Sequence, residues 1–152
     1  MGELLKLAPD VAKAMCDVMV DAIDVGAAAN GTVELGDDVN FTTVLAIFDL
    51  ADPSFGTATT PTEGNNSVAT LLGVPLTTTG ENAAGAAPGT AATHGRYKDK
   101  DGDVICVGTA GLAGSGPGGA DPVFVLDDDM IIDDQAVNLT AATLEVPTAP
   151  LP

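Results

Sequence analysis

Between Pro9 and Val25 the polar residues Asp10, Lys13, Asp17, Asp21 and Asp24 recur at spacings of three and four. Val11, Ala14, Met15, Val18, Ala22 and Val25 fill the opposite face, a 3.6-residue period sustained for about four turns. The pattern predicts an amphipathic helix within 8–26, with Met15 and Val18 buried and Asp17 and Asp21 facing water or a partner. Pro9 suits a first helical turn, Asp10 complements the positive end of the helix dipole, and Gly26 is placed to end the helix.

After Gly31 the helical period does not return. Thr32 to Leu35 reads as a short strand stopped by Gly36-Asp37-Asp38, and Phe41 to Leu50 as a longer one ended by Asp52-Pro53. Two short apolar runs within 67–79 are split by Gly73 and Pro75. Gly80 to Ala92, mostly Gly and Ala, is expected to be a mobile surface excursion. Thr93 to Lys98 and Val104 to Gly108 flank Asp101-Gly102, a hairpin turn signal. A Gly-rich loop follows over 111–120, then apolar runs at 123–126 and 130–132, then an alternating half-buried strand over 136–146. These elements predict a mainly β fold, a single β-sandwich or small β-barrel with one N-terminal amphipathic helix. The expected organisation is a single domain over 1–152, with a helix in 8–26, a β body over 31–146 and a proline-rich tail over 147–152.

Composition narrows the function. At 152 residues the chain supports one modest core. Twenty-two acids against five bases give a formal net charge of −17, and Arg96 is the single arginine. Phosphate backbones are bound by clustered Lys and Arg, so a nucleic-acid partner is not expected, nor is an anionic membrane surface. Only 3% of residues are aromatic and none is Trp, which leaves little for base or sugar stacking. Like charge at this density opposes the compact state at ordinary salt. At molar salt the Debye length falls to ~3 Å and the repulsion is screened, so the balance points to a protein built for high salt. Met1 to Leu7 lacks the long apolar stretch of a signal peptide, and synthesis in the cytoplasm is expected. Cys16 and Cys106 fall among apolar neighbours and read as small buried hydrophobes.

Candidate chemistry is sparse. Asp99, Asp101 and Asp103 alternate as carboxylates do in a calcium loop, but Gly102 precedes the third acid and Ala110 stands where the closing Glu belongs. A hairpin turn accounts for the same residues, so they are weak metal candidates. Asp127-Asp128-Asp129 and Asp133-Asp134 bracket a short apolar segment and read as solvated strand ends. His94 is the sole histidine and no nucleophile adjoins it in sequence; the glycines of 114–119 are followed by no Lys, unlike a phosphate loop. No enzyme activity and no cofactor are expected.

The stretch Gly89-Thr90-Ala91, then Arg96-Tyr97, then Asp99-Lys100-Asp101-Gly102, returning through Val104 to Gly108, resembles a hairpin found in a family of small virion proteins of tailed phages. Ala51-Asp52-Pro53-Ser54-Phe55-Gly56 resembles a turn of the same family. Asp134-Gln135 departs from the family's Gly-Gln turn, and the 111–120 loop is longer and richer in Gly. The resemblance implies a capsid decoration or cement protein on the virion surface, partnered by the major capsid protein and by itself in a homotrimer or other homo-oligomer. Other virion roles (turret, tail-tube or tail-completion protein) and a halophilic cell-surface adhesion module are the alternatives. For a shell subunit the natural contact arms are the termini, through Leu4, Leu5 and Leu7 at one end and Pro147, Pro150 and Leu151 at the other.

Thermal unfolding followed by circular dichroism should show the midpoint rising by many degrees between about 0.1 M and molar salt, as screening becomes nearly complete. A flat or falling midpoint would remove the argument for a high-salt protein.

Overall fold

The computed structural model describes residues 7–62 and 65–147. Helix α1 spans Pro9–Ile23, with Ala8 as its N-cap. A proline costs little here, because the first amides of a helix have no intrahelical acceptor. The helix closes when Asp24 N–H turns back to Asp21 O and Val25 N–H to Ala22 O.

Its buried stripe is Ala12, Cys16, Val20 and Ile23. Met15 and Val18 are 46% and 68% exposed, which reverses the face expected from the sequence. Asp21 is exposed as expected, but Asp17 and Asp24 of the same polar row are half-buried and border the core. Asp17 Oδ1 accepts the Ala58 N–H at 2.9 Å, and the Asp24 carboxylate accepts both the N–H and the hydroxyl of buried Ser54. Two acids that read as solvated thus anchor the 51–58 loop to the helix. Small Ala12 and Cys16 then let the helix approach the sheet closely, and the Cys16 thiol donates to Leu144 O at 3.4 Å.

Ten strands follow: β1 Thr32–Gly36, β2 Val44–Asp49, β3 Asn66–Thr70, β4 Leu76–Thr79, β5 Thr90–Ala91, β6 His94–Lys98, β7 Val104–Leu112, β8 Phe124–Leu126, β9 Met130–Ile131 and β10 Ala136–Pro147. The main sheet runs β2-β1-β6-β7-β8-β10-β3, with β4 also on β10, while β5 pairs with β9. Only β7 and β8 run parallel; the other named pairs are antiparallel. One end of the path turns back on the β10 side of the sheet, since β2 touches β4 and the Glu81 N–H just beyond β4 donates to Leu45 O at 2.7 Å. The sheet therefore curls on itself, and α1 packs against β3, β10 and β7. The chain is mainly β with one N-terminal helix, as its patterning predicts.

Two local expectations are corrected. The second strand starts at Val44 rather than Phe41, because 37–43 is a turn built on aspartate. Asp38 Oδ1 accepts the Asn40 and Thr42 N–H groups and Asp37 Oδ1 accepts that of Thr43. Phe41 sits in the turn at φ 54° with its ring buried. The 80–92 stretch is not a free excursion. Asn82 Nδ2 donates to Val44 O, Ala84 bridges to Ile132, and Thr90-Ala91 pairs with Met130-Ile131. Its glycines serve close approach: a Cβ on Gly80 or Gly89 would lie 2.5 Å from a backbone oxygen of Ile132 or Ile131.

The four Phe and one Tyr are all buried. Tyr97 meets Phe55 edge-on at 5.3 Å and Phe124 at 4.7 Å between centroids. Gly95 makes room for this trio, since a Cβ there would strike the Phe124 ring at 2.4 Å.

Urea unfolding should separate the two helix faces. Ile23→Ala is expected to cost about 2–4 kcal/mol through a lost side chain and its cavity, whereas Val18→Asp on the exposed face should stay within ~0.5 kcal/mol. Comparable losses from both would mean that the helix is not seated on its Ala12-Cys16-Val20-Ile23 stripe.

Candidate functional site

The exposed face of α1 is the most distinctive surface. Val11, Ala14, Met15 and Val18 line an apolar strip, with Val11, Met15 and Val18 each close to half exposed or more. Asp10 borders it and Met19 continues it toward the sheet. The strip exists because the helix is apolar on two adjoining faces and buries only one. Sequence reasoning found these residues but gave them to the core. The signal that could have corrected it is the second stripe, Ala12-Cys16-Val20-Ile23, which has equal helical spacing and carries the small residues that close packing favours.

The electrostatics around this body are one-sided. Each basic side chain among the described residues is engaged in an ion pair: Lys13 with Asp17, Arg96 and Lys98 with Glu34, and Lys100 with Asp52. Glu34 and Arg96 are directly opposite in the β1–β6 register. Arg96 Nε donates to Glu34 Oε2 at 2.7 Å and Lys98 Nζ to Oε1 at 3.0 Å, while the guanidinium lies 4.2 Å over the Phe41 ring. Burial by itself would raise the Glu34 carboxyl, but the hydrogen bonds from Lys98 and Arg96 prevail and hold it below the usual range. Arg96 and Tyr97 thus take structural roles, one over a ring and one in the core.

The three alternating aspartates serve the hairpin. Asp99 Oδ1 accepts the N–H groups of Asp101 and Asp103, and Asp101 Oδ1 accepts that of Ala27 beyond the helix. Among the described residues no three His, Cys, Asp or Glu side chains converge as a metal site. The aspartates at 127 and 128 act similarly, accepting the Asp128 and Met130 N–H groups, and Asp127 also takes Asn138 Nδ2. His94 Nδ1 lies 2.9 Å from the Thr93 hydroxyl. Burial keeps both thiols protonated, pushing Cys106 up to about 11 and Cys16 upward as well.

Of the expected contact arms, Leu7 packs partly buried against the core and Pro147 closes β10 opposite Asn66. Both are engaged within the fold. Leu4, Leu5, Pro150 and Leu151 lie outside the described residues. Among the described residues no helix is long and apolar enough to cross a membrane. Comparison with known protein families, curated proteins and solved structures finds no match to this chain.

Glu34 gives a pH test. A carboxyl lowered in the folded state contributes stability that is fully present above its ordinary value of 4.5 and is lost as pH falls through the lowered one. Glu34→Gln should cost about 1–3 kcal/mol near neutrality, and the gap from the parent protein should close as denaturation is followed downward from pH 4.5. A gap that is constant with pH would show that the ion pairs do not carry it.

Proposed function

We propose that this chain is a structural subunit of a tailed-virus particle, a decoration or cement protein that seats the apolar face of α1 on the shell. The observation that supports this most is the strip Val11-Ala14-Met15-Val18, left open on a body that buries all its aromatic rings. Exposed apolar patches on small domains mark contact surfaces. An apolar contact also suits an acidic chain in strong salt, because screening weakens ionic contacts while some salts reinforce apolar burial. A subunit that binds the assembled shell and not its loosened form stabilises it by mass action. The resemblance of the hairpin and of the Asp52-Pro53 turn to phage virion proteins supplies the choice of partner, the major capsid protein, and the homo-oligomeric state. With Leu7 and Pro147 engaged in the fold, the helix replaces the terminal arms as the proposed contact.

Particles stripped of the protein provide the test. Added back, the intact chain should co-sediment with them, and Met15→Glu combined with Val18→Asp should weaken that binding at least tenfold with the melting midpoint nearly unchanged. Full decoration by the double variant would reject the helix as contact. Absence of the chain from purified virions, read by mass spectrometry, would reject the virion role.

A further inference from the structure

We propose that the sheet accepts an extended, basic segment of a partner protein as an added strand between β7 and β10. The strand between them, β8, is three residues long, whereas β7 has nine and β10 twelve. It pairs with β7 only at Ala110 to Leu112 and with β10 only at Leu139 to Ala142. Upstream of Phe124 the chain bends at Val123, and Pro122 has no amide with which to continue a ladder. Both neighbours run on past that bend, β7 back to Val104 and β10 forward to Pro147.

A pocket of about 290 Å³ lies there, beside Tyr97. Cys106 to Gly108 form one wall and Thr143 to Glu145 the other, and α1, which packs against both strands, contributes Met19. Two strands that flank a third stand ~10 Å apart, and three residues of strand span ~10 Å. The opening is therefore one strand wide and about three residues long.

Main-chain groups face it. Val68 N–H donates to Thr59 Oγ1 and Val68 O accepts the Thr59 N–H. Val68 stands opposite Glu145, so this pair exchanges no hydrogen bonds, and Glu145 turns its own N–H and C=O to the other side of β10. On that side the Thr143 N–H still reaches Val123 O, and one step further the pocket begins. An edge of this kind binds an extended segment through the main chain and selects it through alternate side chains.

The rim decides the side chains. Asp121 and Glu145 line the pocket and are exposed. Each basic side chain among the described residues is paired elsewhere, with Asp17, Glu34 or Asp52. The complementary cations are therefore a partner's, while Met19, Cys106 and Leu144 suit a small apolar residue between them. The site is independent of the shell-binding role and is read on the isolated protein.

The probe is the capped peptide Lys-Val-Thr-Val-Lys, titrated into the full chain and followed by NMR. It should give saturable shifts at the Val107 and Glu145 amides and at the Met19 methyl. The peptide Glu-Val-Thr-Val-Glu should bind about fivefold more weakly or less, as two rim charge pairs are lost. Methylating the backbone nitrogens of the lysine peptide should weaken it about tenfold, the effect of one or two hydrogen bonds. Asp121→Asn combined with Glu145→Gln keeps the acceptor oxygens and should abolish the preference for lysine with the melting midpoint nearly unchanged. No saturable shift, shifts confined to the outer face of α1, equal binding of the two peptides, undiminished binding after methylation, or a lysine preference retained by the double variant would each overturn the proposal. Binding that appears only after residues 148–152 are deleted would make the chain's own tail the occupant and overturn the choice of a partner.

Discussion

The placement of Tyr97 is the constraint on which the rest of the body depends. It sits opposite Val33 of β1 and Cys106 of β7, so its ring lies where three strands share one face. From there it touches Phe55 on the 51–58 loop and Phe124 on β8. Those contacts tie the loop that α1 anchors through Asp17 and Asp24 to the parallel β7–β8 step. A chain with so few rings concentrates most of them at one junction, and Gly95 is the residue whose missing side chain makes the junction possible. Aromatic contacts of this geometry add to area burial, which matters in a core otherwise built of small aliphatic side chains.

Electrostatics in this protein works through backbone more than through ion pairs. Five bases cannot neutralise twenty-two acids, yet many of the acids have partners. Asp37, Asp38, Asp99, Asp127 and Asp128 accept backbone N–H groups in turns, Asp101 accepts that of Ala27 beyond the helix, and Asp17 and Asp24 do so across the helix–loop junction. A short carboxylate reaches nearby main-chain amides with little loss of side-chain freedom, which is why Asp favours turns and caps. The preponderance of Asp over Glu therefore has a structural origin beside the one suggested by high salt. Glu34 depends on bases instead: buried on β1, it is held by Arg96 and Lys98 of β6.

Much of this was legible in the chain. Alternation located the long β10, the Asp101-Gly102 turn signal the hairpin of β6 and β7, and the break at Gly73 and Pro75 the separation of β3 from β4. The helix was legible in position and misread in orientation. Its two apolar stripes have the same spacing, and only the long-range partners of Asp17 and Asp24 decide which one faces inward. The 80–92 stretch was misread for a related reason. Gly and Ala are silent about pairing partners, and the bonds that fix the stretch come from Leu45, Val44 and Ile132, far away in sequence. The pocket beside Tyr97 had no sequence signal, since it is assembled from four separate elements.

Met19 joins the two surfaces that these contacts leave open. It lines both the apolar strip of α1 and the pocket over Tyr97. Methionine suits that position because an unbranched, polarisable chain can adapt to either neighbour. The helix is seated by small residues on its inner face, so its outer stripe and the pocket beneath Met19 are fixed relative to each other by the same packing. A surface seated on the strip would therefore cover a side chain that also lines the pocket.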